Sequence, residues 1–311
     1  MISQKEYEEL CKTIRELCQS GYEVMLFHQG FGETAIFLQV VYKYKELSGK
    51  KLFIITYTST RTEILKCSDV IDEVFEVPKD VYLMLSGENQ MLNELGIKNF
   101  LAMHNMDLDR STMKNEVCEF LGIPKDTPYR HLSLPGIQAN WDEYFRTKNL
   151  LPGKTVYIVP HALFLGKVVP EEFWEKLVER LREEGYTAIM NLPSETIPGV
   201  PFAYFDMVVS LQLAKHCGCV VGARTGFMDL VATFTDLPII AIYPDDTHPS
   251  WDICKKYTWR EPVNGDYAKV YMESTGINTL FPRDGITELV YTSDEEIIDE
   301  IIEKISFKIS Y

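Results

Sequence analysis

The sequence lacks long apolar stretches, and no uninterrupted run reaches the roughly 18 residues that a transmembrane helix needs. A basic segment followed by an apolar one is also missing near its start, so a secretory signal is not predicted. The seven cysteines are odd in number and scattered, which is typical of reduced thiols in a cytoplasmic protein. Because Cys217 and Cys219 are spaced too closely for a zinc pair, no structural metal is expected.

Basic side chains are scarce as well. There are 31 Lys and Arg residues against 46 Asp and Glu residues, which gives a net charge of −15. Nucleic-acid binding relies on a basic surface against phosphate, so no nucleic-acid partner is expected. A small anionic ligand is compatible with this charge, because a few local cations and backbone N–H groups are enough to bind it.

What the sequence does contain is typical of a globular protein with two domains. Apolar residues make up 46% of its 311 residues, and no internal repeat is visible. A chain of this length exceeds what one hydrophobic core usually supports, so we predict domains over residues 1–150 and 151–311. The stretch from Pro124 to Gly153 holds four prolines and is interpreted as their connection.

Strands and helices alternate in each half. An amphipathic helix over Gln4 to Ser20 precedes a strand at Val24 to Phe27, a helix from about Thr34 to Leu47 and a strand at Leu52 to Thr56. The second half repeats this pattern, with strands predicted at Thr155 to Val159, Thr187 to Asn191, Cys219 to Ala223 and Ile239 to Tyr243. We therefore predict an α/β protein of two Rossmann-like, doubly wound domains facing a central cleft. The last helix, after Ser293, is a candidate to pack back on the first domain.

The first candidate site is the turn after the first strand. Gly30 and Gly32 permit close approach of a ligand to the backbone, and the helix that follows favours an anion at its start. Glu33 falls at that helix start and faces the predicted cleft. A carboxylate that only complements the helix dipole is the alternative. The turn does not match a dinucleotide fingerprint or a P-loop.

The second candidate site follows the strand at Cys219 to Ala223. Arg224, Thr225 and Gly226 supply a guanidinium, a hydroxyl and backbone N–H groups within one turn at a helix start, which suits a diphosphate. In the alternative, Arg224 pairs with a surface acid.

A third candidate site is the loop after the strand at Thr155 to Val159. It presents the imidazole of His161 and the ammonium of Lys167 toward the predicted cleft. An ordinary solvated lysine is the alternative for Lys167.

The three motifs together resemble those of the lipopolysaccharide heptosyltransferases. The resemblance spans about residues 22–247 and is most specific at Arg224 to Leu230 and at the Tyr243-Pro244 pair that follows. The family usually has Asp at the position of Glu33. It also has an acid at the position of Arg224 and a His at that of Asp229.

This resemblance implies a nucleotide-sugar glycosyltransferase of the hexosyl or heptosyl type, with the two-domain GT-B fold and no cofactor, that builds surface polysaccharide. Glu33 would remove the proton of the acceptor hydroxyl in an inverting, metal-independent transfer, and Glu195 lies about where the family binds the ribose. The implied partners are a nucleotide-sugar donor and a glycan or glycolipid acceptor, with at most a peripheral contact to a membrane. The predicted substrate-binding residues are Gly30, Gly32, His161, Lys167, Glu195, Arg224, Thr225, Gly226 and Asp229.

Three alternatives stay open. Asp107 and Asp109 have the spacing by which other glycosyltransferases hold a divalent cation, although Asp is also common in loops that precede a helix. A nucleotide-sugar epimerase would share the two-domain architecture. A catalytically silent GT-B relative would serve as a binding subunit, which the departures at Arg224 and Asp229 favour.

Overall fold

The computed structural model describes residues 3–100, 112–161, 169–191, 197–203, 205–249, 251 and 266–309. The described residues form two compact units. Unit 1 contains residues 3–100 and Lys114–Ser133, and unit 2 contains Thr112, Met113 and the described residues from Leu134 onward. Each unit is built on one parallel sheet with helices in the connections. This arrangement confirms the predicted α/β class.

Unit 1 has a four-stranded parallel sheet of order β3-β2-β1-β4. Its strands are β1 Tyr22–Leu26, β2 Lys51–Thr56, β3 Glu73–Glu76 and β4 Lys98–Asn99. Its helices are α1 Gln4–Gln19, α2 Phe31–Ser48, α3 Ser59–Leu65, α4 Lys79–Gly87, α5 Asn89–Leu95 and α6 Met113–Leu121. Strand β4 is followed by residues 101–111, which lie outside the described ranges.

Two helices of unit 1 illustrate how its sequence selects local structure. Helix α1 begins with a capping box in which Ser3 and Glu6 satisfy each other's backbone N–H groups. Its apolar stripe buries Tyr7, Cys11 and Ile14 in the same core as strands β1 and β2. Helix α2 is instead buried from residue 34 to residue 41, as expected for a helix that follows the first strand of a doubly wound sheet.

Unit 2 has a five-stranded parallel sheet of order β6-β5-β7-β8-β9. Its strands are β5 Thr155–Val159, β6 Thr187–Met190, β7 Cys219–Ala223, β8 Ile239–Tyr243 and β9 Ile286–Val290. Its helices are α7 Trp141–Thr147, α8 Glu171–Glu183, α9 Met207–Ala214, α10 Gly226–Phe234, α11 Tyr267–Thr275, α12 Ile277–Leu280 and α13 Asp294–Ile309.

Two features of unit 2 differ from the prediction. The boundary predicted at residue 150 falls inside unit 2, because Phe145 of α7 is buried and its ring lies 6.3 Å from the ring of His216. The isoleucine stripe of α13, expected to return to the first domain, packs in the core of unit 2 with Phe173 and Leu177 of α8. The apolar face of this helix thus stabilises its own unit.

Close approach of two strands explains a glycine in the middle of the unit 2 sheet. A Cβ atom built on Gly222 of β7 would lie 2.1 Å from the carbonyl oxygen of Val159 in β5. The carboxyl ends of these strands therefore meet tightly at the edge of the sheet where ligands bind in this class of fold. Within the described ranges, no helix has both the length and the apolar character needed to span a membrane.

Candidate functional site

The first candidate turn joins β1 to α2 in unit 1. Helix α2 begins at Phe31, so Gly30 is its N-cap and Glu33 is its third residue. The carbonyl oxygen of Gly30 accepts hydrogen bonds from the Thr34 N–H at 3.0 Å and from the Thr34 hydroxyl at 2.8 Å. The helix thus starts three residues earlier than the sequence predicted, and Gly32 lies within its first turn.

The Glu33 carboxylate folds back over this turn. A Cβ atom added to Gly30 would lie 2.5 Å from Oε2 of Glu33, so the glycine leaves the room that the carboxylate occupies. The Glu33 side chain is half-buried. A carboxylate is therefore held at the carboxyl end of β1, at the edge where open α/β sheets bind ligands.

An aromatic cluster that the sequence did not reveal lies at the same edge. The ring of His28 stacks on that of Tyr57 with centroids 3.3 Å apart, and the Tyr82 ring lies 5.0 Å from that of Tyr57. Burial, together with the charges of Arg61 and Lys79, lowers the pKa of His28 to about 3. His28 is therefore neutral at physiological pH and acts here as a ring surface and a hydrogen-bonding group.

The second candidate turn joins β7 to α10 in unit 2. The Arg224 N–H donates to the Ile242 carbonyl oxygen at 3.1 Å, which ties the turn to β8. Thr225 is the N-cap of α10, but its side chain makes no capping hydrogen bond, and Gly226 is the first helical residue. The buried Oγ1 of Thr225 has no partner among the described residues. The first N–H groups of α10 therefore lack a side-chain cap, and a diphosphate contact at this turn stays a prediction.

The Arg224 guanidinium faces the protein interior. Its Nη1 donates to Asp229 Oδ2 and its Nη2 lies 2.8 Å from Asp229 Oδ1, which makes a two-pronged ion pair. Further donors reach the carbonyl oxygens of Thr225 at 3.0 Å and Thr275 at 2.8 Å. Arg224 is 5% exposed and Asp229 is 1% exposed. Burial alone would lower the pKa of Arg224, but the Asp229 carboxylate raises it above its ordinary value.

This geometry changes the interpretation of two predicted site residues. The sequence placed Arg224 against a diphosphate or, as the alternative, against a surface acid, whereas its partner Asp229 is a buried acid of the same turn. A diphosphate contact by Arg224 or Asp229 stays a prediction. What the contacts establish is that Arg224 joins the β7–α10 turn to the end of α11 at Thr275.

The remaining predicted residues are distributed as follows. His161 lies two residues after the end of β5 and is half-buried, and its role stays a prediction. Lys167, Glu195 and the pair Asp107 and Asp109 lie outside the described residues.

Residues Asp245 to His248 form a turn after β8, in which the His248 N–H donates to the Asp245 carbonyl oxygen at 3.1 Å. The Asp245 side chain accepts hydrogen bonds from the Thr247 N–H at 2.8 Å and from its hydroxyl at 2.6 Å. The carboxylate of Asp246 accepts the N–H of Ala268 near the start of α11 at 2.8 Å. The carboxylates of both acids therefore accept hydrogen bonds from backbone N–H groups near this turn.

Several solved structures are similar to this chain over most of its length. A glycosyltransferase of family 9 from Veillonella parvula is similar with a TM-score of 0.58 and 15% identity, over 92% of this chain and 97% of that one. The E. coli ADP-heptose LPS heptosyltransferase II is similar with a TM-score of 0.57 and 10% identity, over 92% of this chain and 98% of that one. The E. coli heptosyltransferase WaaC with ADP is similar with a TM-score of 0.52 and 13% identity, over 91% of this chain and 99% of that one.

The chain has the fold of these glycosyltransferases. The resemblance predicted from the motifs is thereby confirmed at the level of the fold. No protein-family profile matches the chain, and no curated protein matches it. Identities of 10% to 15% show a shared fold, and a shared fold does not by itself determine an activity.

Proposed function

We propose that this protein is an inverting, metal-independent glycosyltransferase that transfers a sugar from a nucleotide-sugar to a glycan or glycoconjugate acceptor in surface polysaccharide biosynthesis. The observation that carries the proposal is the Glu33 carboxylate, held over the Gly30 turn at the carboxyl end of the first strand. The fold shared with known glycosyltransferases supports it.

Glu33 acts as the general base. As the acceptor oxygen attacks the anomeric carbon, Glu33 takes the hydroxyl proton, and the bond from that carbon to the phosphate oxygen of the donor breaks. Inversion follows because attack and departure take place on opposite faces of the sugar. A half-buried carboxylate on a helix start suits this task, since its position is fixed by the first turn of α2.

The start of α10 stabilises the leaving nucleoside diphosphate. Its uncapped N-terminus, the Thr225 hydroxyl and the Gly226 backbone supply donors without a metal ion. Lys167, His161 and Glu195 are proposed to add contacts to the donor. That WaaC is known with ADP favours a nucleoside diphosphate as the leaving group here.

A thermal-shift screen over UDP, GDP, ADP and CMP tests donor binding. We expect one nucleoside diphosphate to raise the melting temperature, because a ligand that binds only the folded state stabilises it. In Thr225→Val the shift should shrink, while Thr13→Val, at an exposed site on α1, should leave it unchanged. A screen in which no nucleoside diphosphate shifts the wild-type protein would argue against the proposal.

Gly30→Ala is expected to remove most of the transfer activity at little cost in stability. The new methyl group would collide with Oε2 of Glu33 and displace the carboxylate, whereas the backbone of Gly30, at φ −58°, accepts a side chain. Gly87→Ala is the matched control, since nothing lies within 4 Å of its added Cβ atom. Comparison of melting temperatures and initial rates checks this result. Equal rates for both variants would show that the Glu33 position does not matter.

A catalytically silent relative that only binds a nucleotide is the second candidate function. The Arg224–Asp229 pair favours it, because these positions hold an acid and a histidine in the family that the chain resembles, and here the two side chains bind each other. Such a protein would pass the thermal-shift screen and transfer nothing. A nucleotide-sugar epimerase, in contrast, would convert the donor with no acceptor present.

A further inference from the structure

A groove of about 580 Å³ lies on unit 1, between the C-terminal half of α2 and two loops. Its walls include Tyr42 and Lys45 of α2, Asp69 and Val70 of the loop before β3, and Arg130. A volume of this size lies within the range of about 300–1,000 Å³ that is typical of small-molecule sites. Because the walls come from three separate segments of the chain, the sequence motifs did not reveal this groove.

The groove lies at the amino end of the unit 1 sheet. Lys45 is in the last turn of α2, and its partner Asp72 accepts the N–H of Leu52, at the start of β2, at 2.8 Å. The turn that carries Glu33 follows the carboxyl end of β1, which pairs in parallel with β2. The groove and Glu33 therefore lie at opposite ends of these strands.

Hydrogen bonds fix the wall formed by residues 128–130 against α2. The Tyr42 hydroxyl donates to the Pro128 carbonyl oxygen at 3.0 Å. The Arg130 N–H donates to the carbonyl oxygen of Gln39, also at 3.0 Å. The groove is thus held open by the fold itself, so a ligand would bind with little further ordering of the chain.

Both cations of the groove wall are already paired. Lys45 Nζ lies 2.7 Å from Asp72 Oδ2 and also donates to the Val70 carbonyl oxygen at 2.7 Å. Arg130 Nη2 lies 2.7 Å from Asp69 Oδ2 on the opposite wall. Since each positive charge is neutralised by a neighbouring carboxylate, a free anion gains little net attraction in this groove.

A neutral saccharide matches these groups better than an ion does. Neighbouring sugar hydroxyls both donate and accept, so they can bond to the Asp69 carboxylate and to the Arg130 guanidinium at the same time. Hydrogen bonds to charged groups are stronger than those between neutral groups. The ring of Tyr42, whose hydroxyl is fixed on Pro128, adds the apolar surface on which the C–H face of a sugar packs.

We propose that this groove binds a neutral oligosaccharide, at a place apart from the candidate active site. In a glycosyltransferase, such a site would hold the acceptor or product chain and raise the local concentration of acceptor ends. That consequence rests on the proposed function, whereas the binding of the saccharide does not.

The test is a titration of the full chain, without nucleotide, with maltotriose, mannotriose, galactotriose, glucuronate and inorganic phosphate. Calorimetry or ligand-observed NMR measures the affinities. We expect at least one neutral trisaccharide to bind more tightly than either anion. Asp69→Ala should weaken that trisaccharide at least fivefold, because a hydrogen-bond acceptor is lost. An anion would instead bind more tightly to Asp69→Ala, because Arg130 would lose its counterion.

Glu119→Ala is the matched control. Glu119 pairs with Lys125 at 3.2 Å on the same unit, and it lies outside the groove. Its side chain is 68% exposed and that of Asp69 is 66% exposed, so both substitutions remove one surface carboxylate from an ion pair. The affinity for the trisaccharide should be unchanged in Glu119→Ala.

The proposal would be overturned by an anion that binds more tightly than every trisaccharide, by equal or higher trisaccharide affinity in Asp69→Ala, or by the absence of binding. Arg130→Ala, which removes the guanidinium donors, decides the matter if Asp69→Ala does not fold. Because no donor is present, saccharide binding in the groove without any transfer would count only against the proposed function. Transfer by a protein that binds no saccharide here would count only against this inference.

Discussion

Glu33→Gln is expected to lower the transfer rate at least ~10³-fold, because an amide cannot accept the acceptor's proton and general-base catalysis contributes about 10²–10⁴-fold. Glutamine has nearly the same size as glutamate, so the turn at Gly30 should keep its geometry. The affinity for the nucleoside diphosphate should therefore stay close to that of the wild-type protein. Initial rates and nucleotide titrations on the same preparation measure both quantities.

The matched control for this variant is Glu46→Gln. Glu46 lies on the same helix α2, but it is exposed and pairs with Lys43 at 3.0 Å. A surface pair of this kind contributes little, so both the rate and the stability should be unchanged. Full residual transfer in Glu33→Gln would remove Glu33 from its assigned role, whatever the control shows.

The second large effect concerns the stability of unit 2. Arg224→Met is expected to lower the free energy of unfolding by about 3–5 kcal/mol, because it leaves the Asp229 carboxylate buried without a partner. Replacing both residues in Arg224→Met/Asp229→Leu should restore much of that loss, since no unpaired charge then remains. Urea denaturation of the single and double variants measures these differences.

A surface arginine serves as the comparison. Arg180 of α8 pairs with Glu183 at 3.2 Å on the exterior, so Arg180→Met should cost less than about 1 kcal/mol. If Arg224→Met were instead as stable as the wild-type protein but lost affinity for nucleoside diphosphates, the guanidinium would bind the donor, as the sequence predicted.

Much of the fold could be predicted because its strands are continuous apolar runs bounded by turn residues. Strands β5, β7 and β8 have the predicted bounds, and all of their residues are buried. Strand β9 was missed, since most of its side chains are only partly buried and its apolar run is interrupted by polar residues. Helix α7 was missed because a segment of seven residues in a proline-rich stretch is too short to show a helical period.

The candidate site could be predicted only where it lies within one segment. Glu33 follows from glycine spacing at a strand end, and the structure places it at that turn. The contacts of Arg61 and His28 were missed, because Gln29, Tyr57 and Tyr82 come from separate elements. Sequence spacing likewise could not show which way a guanidinium turns.

Arg224 illustrates that last limit. Its partner Asp229 is five residues away in the sequence, but the carbonyl oxygen of Thr275 that fixes its direction is 51 residues away. The Asp229 carboxylate and the Thr275 carbonyl oxygen together hold the guanidinium facing inward. The same sequence motif with a different neighbour would leave the guanidinium available to a ligand.

Sugar transfer itself is the most direct test of the proposed activity. The protein would be incubated with the nucleotide-sugar whose nucleotide gives the largest thermal shift, with and without saccharide acceptors, and the products weighed by mass spectrometry. We predict an acceptor product heavier by one sugar, formed only when both substrates are present, together with free nucleoside diphosphate. Conversion of the donor without an acceptor, or tight donor binding with no product from any acceptor, would contradict the assignment as a glycosyltransferase.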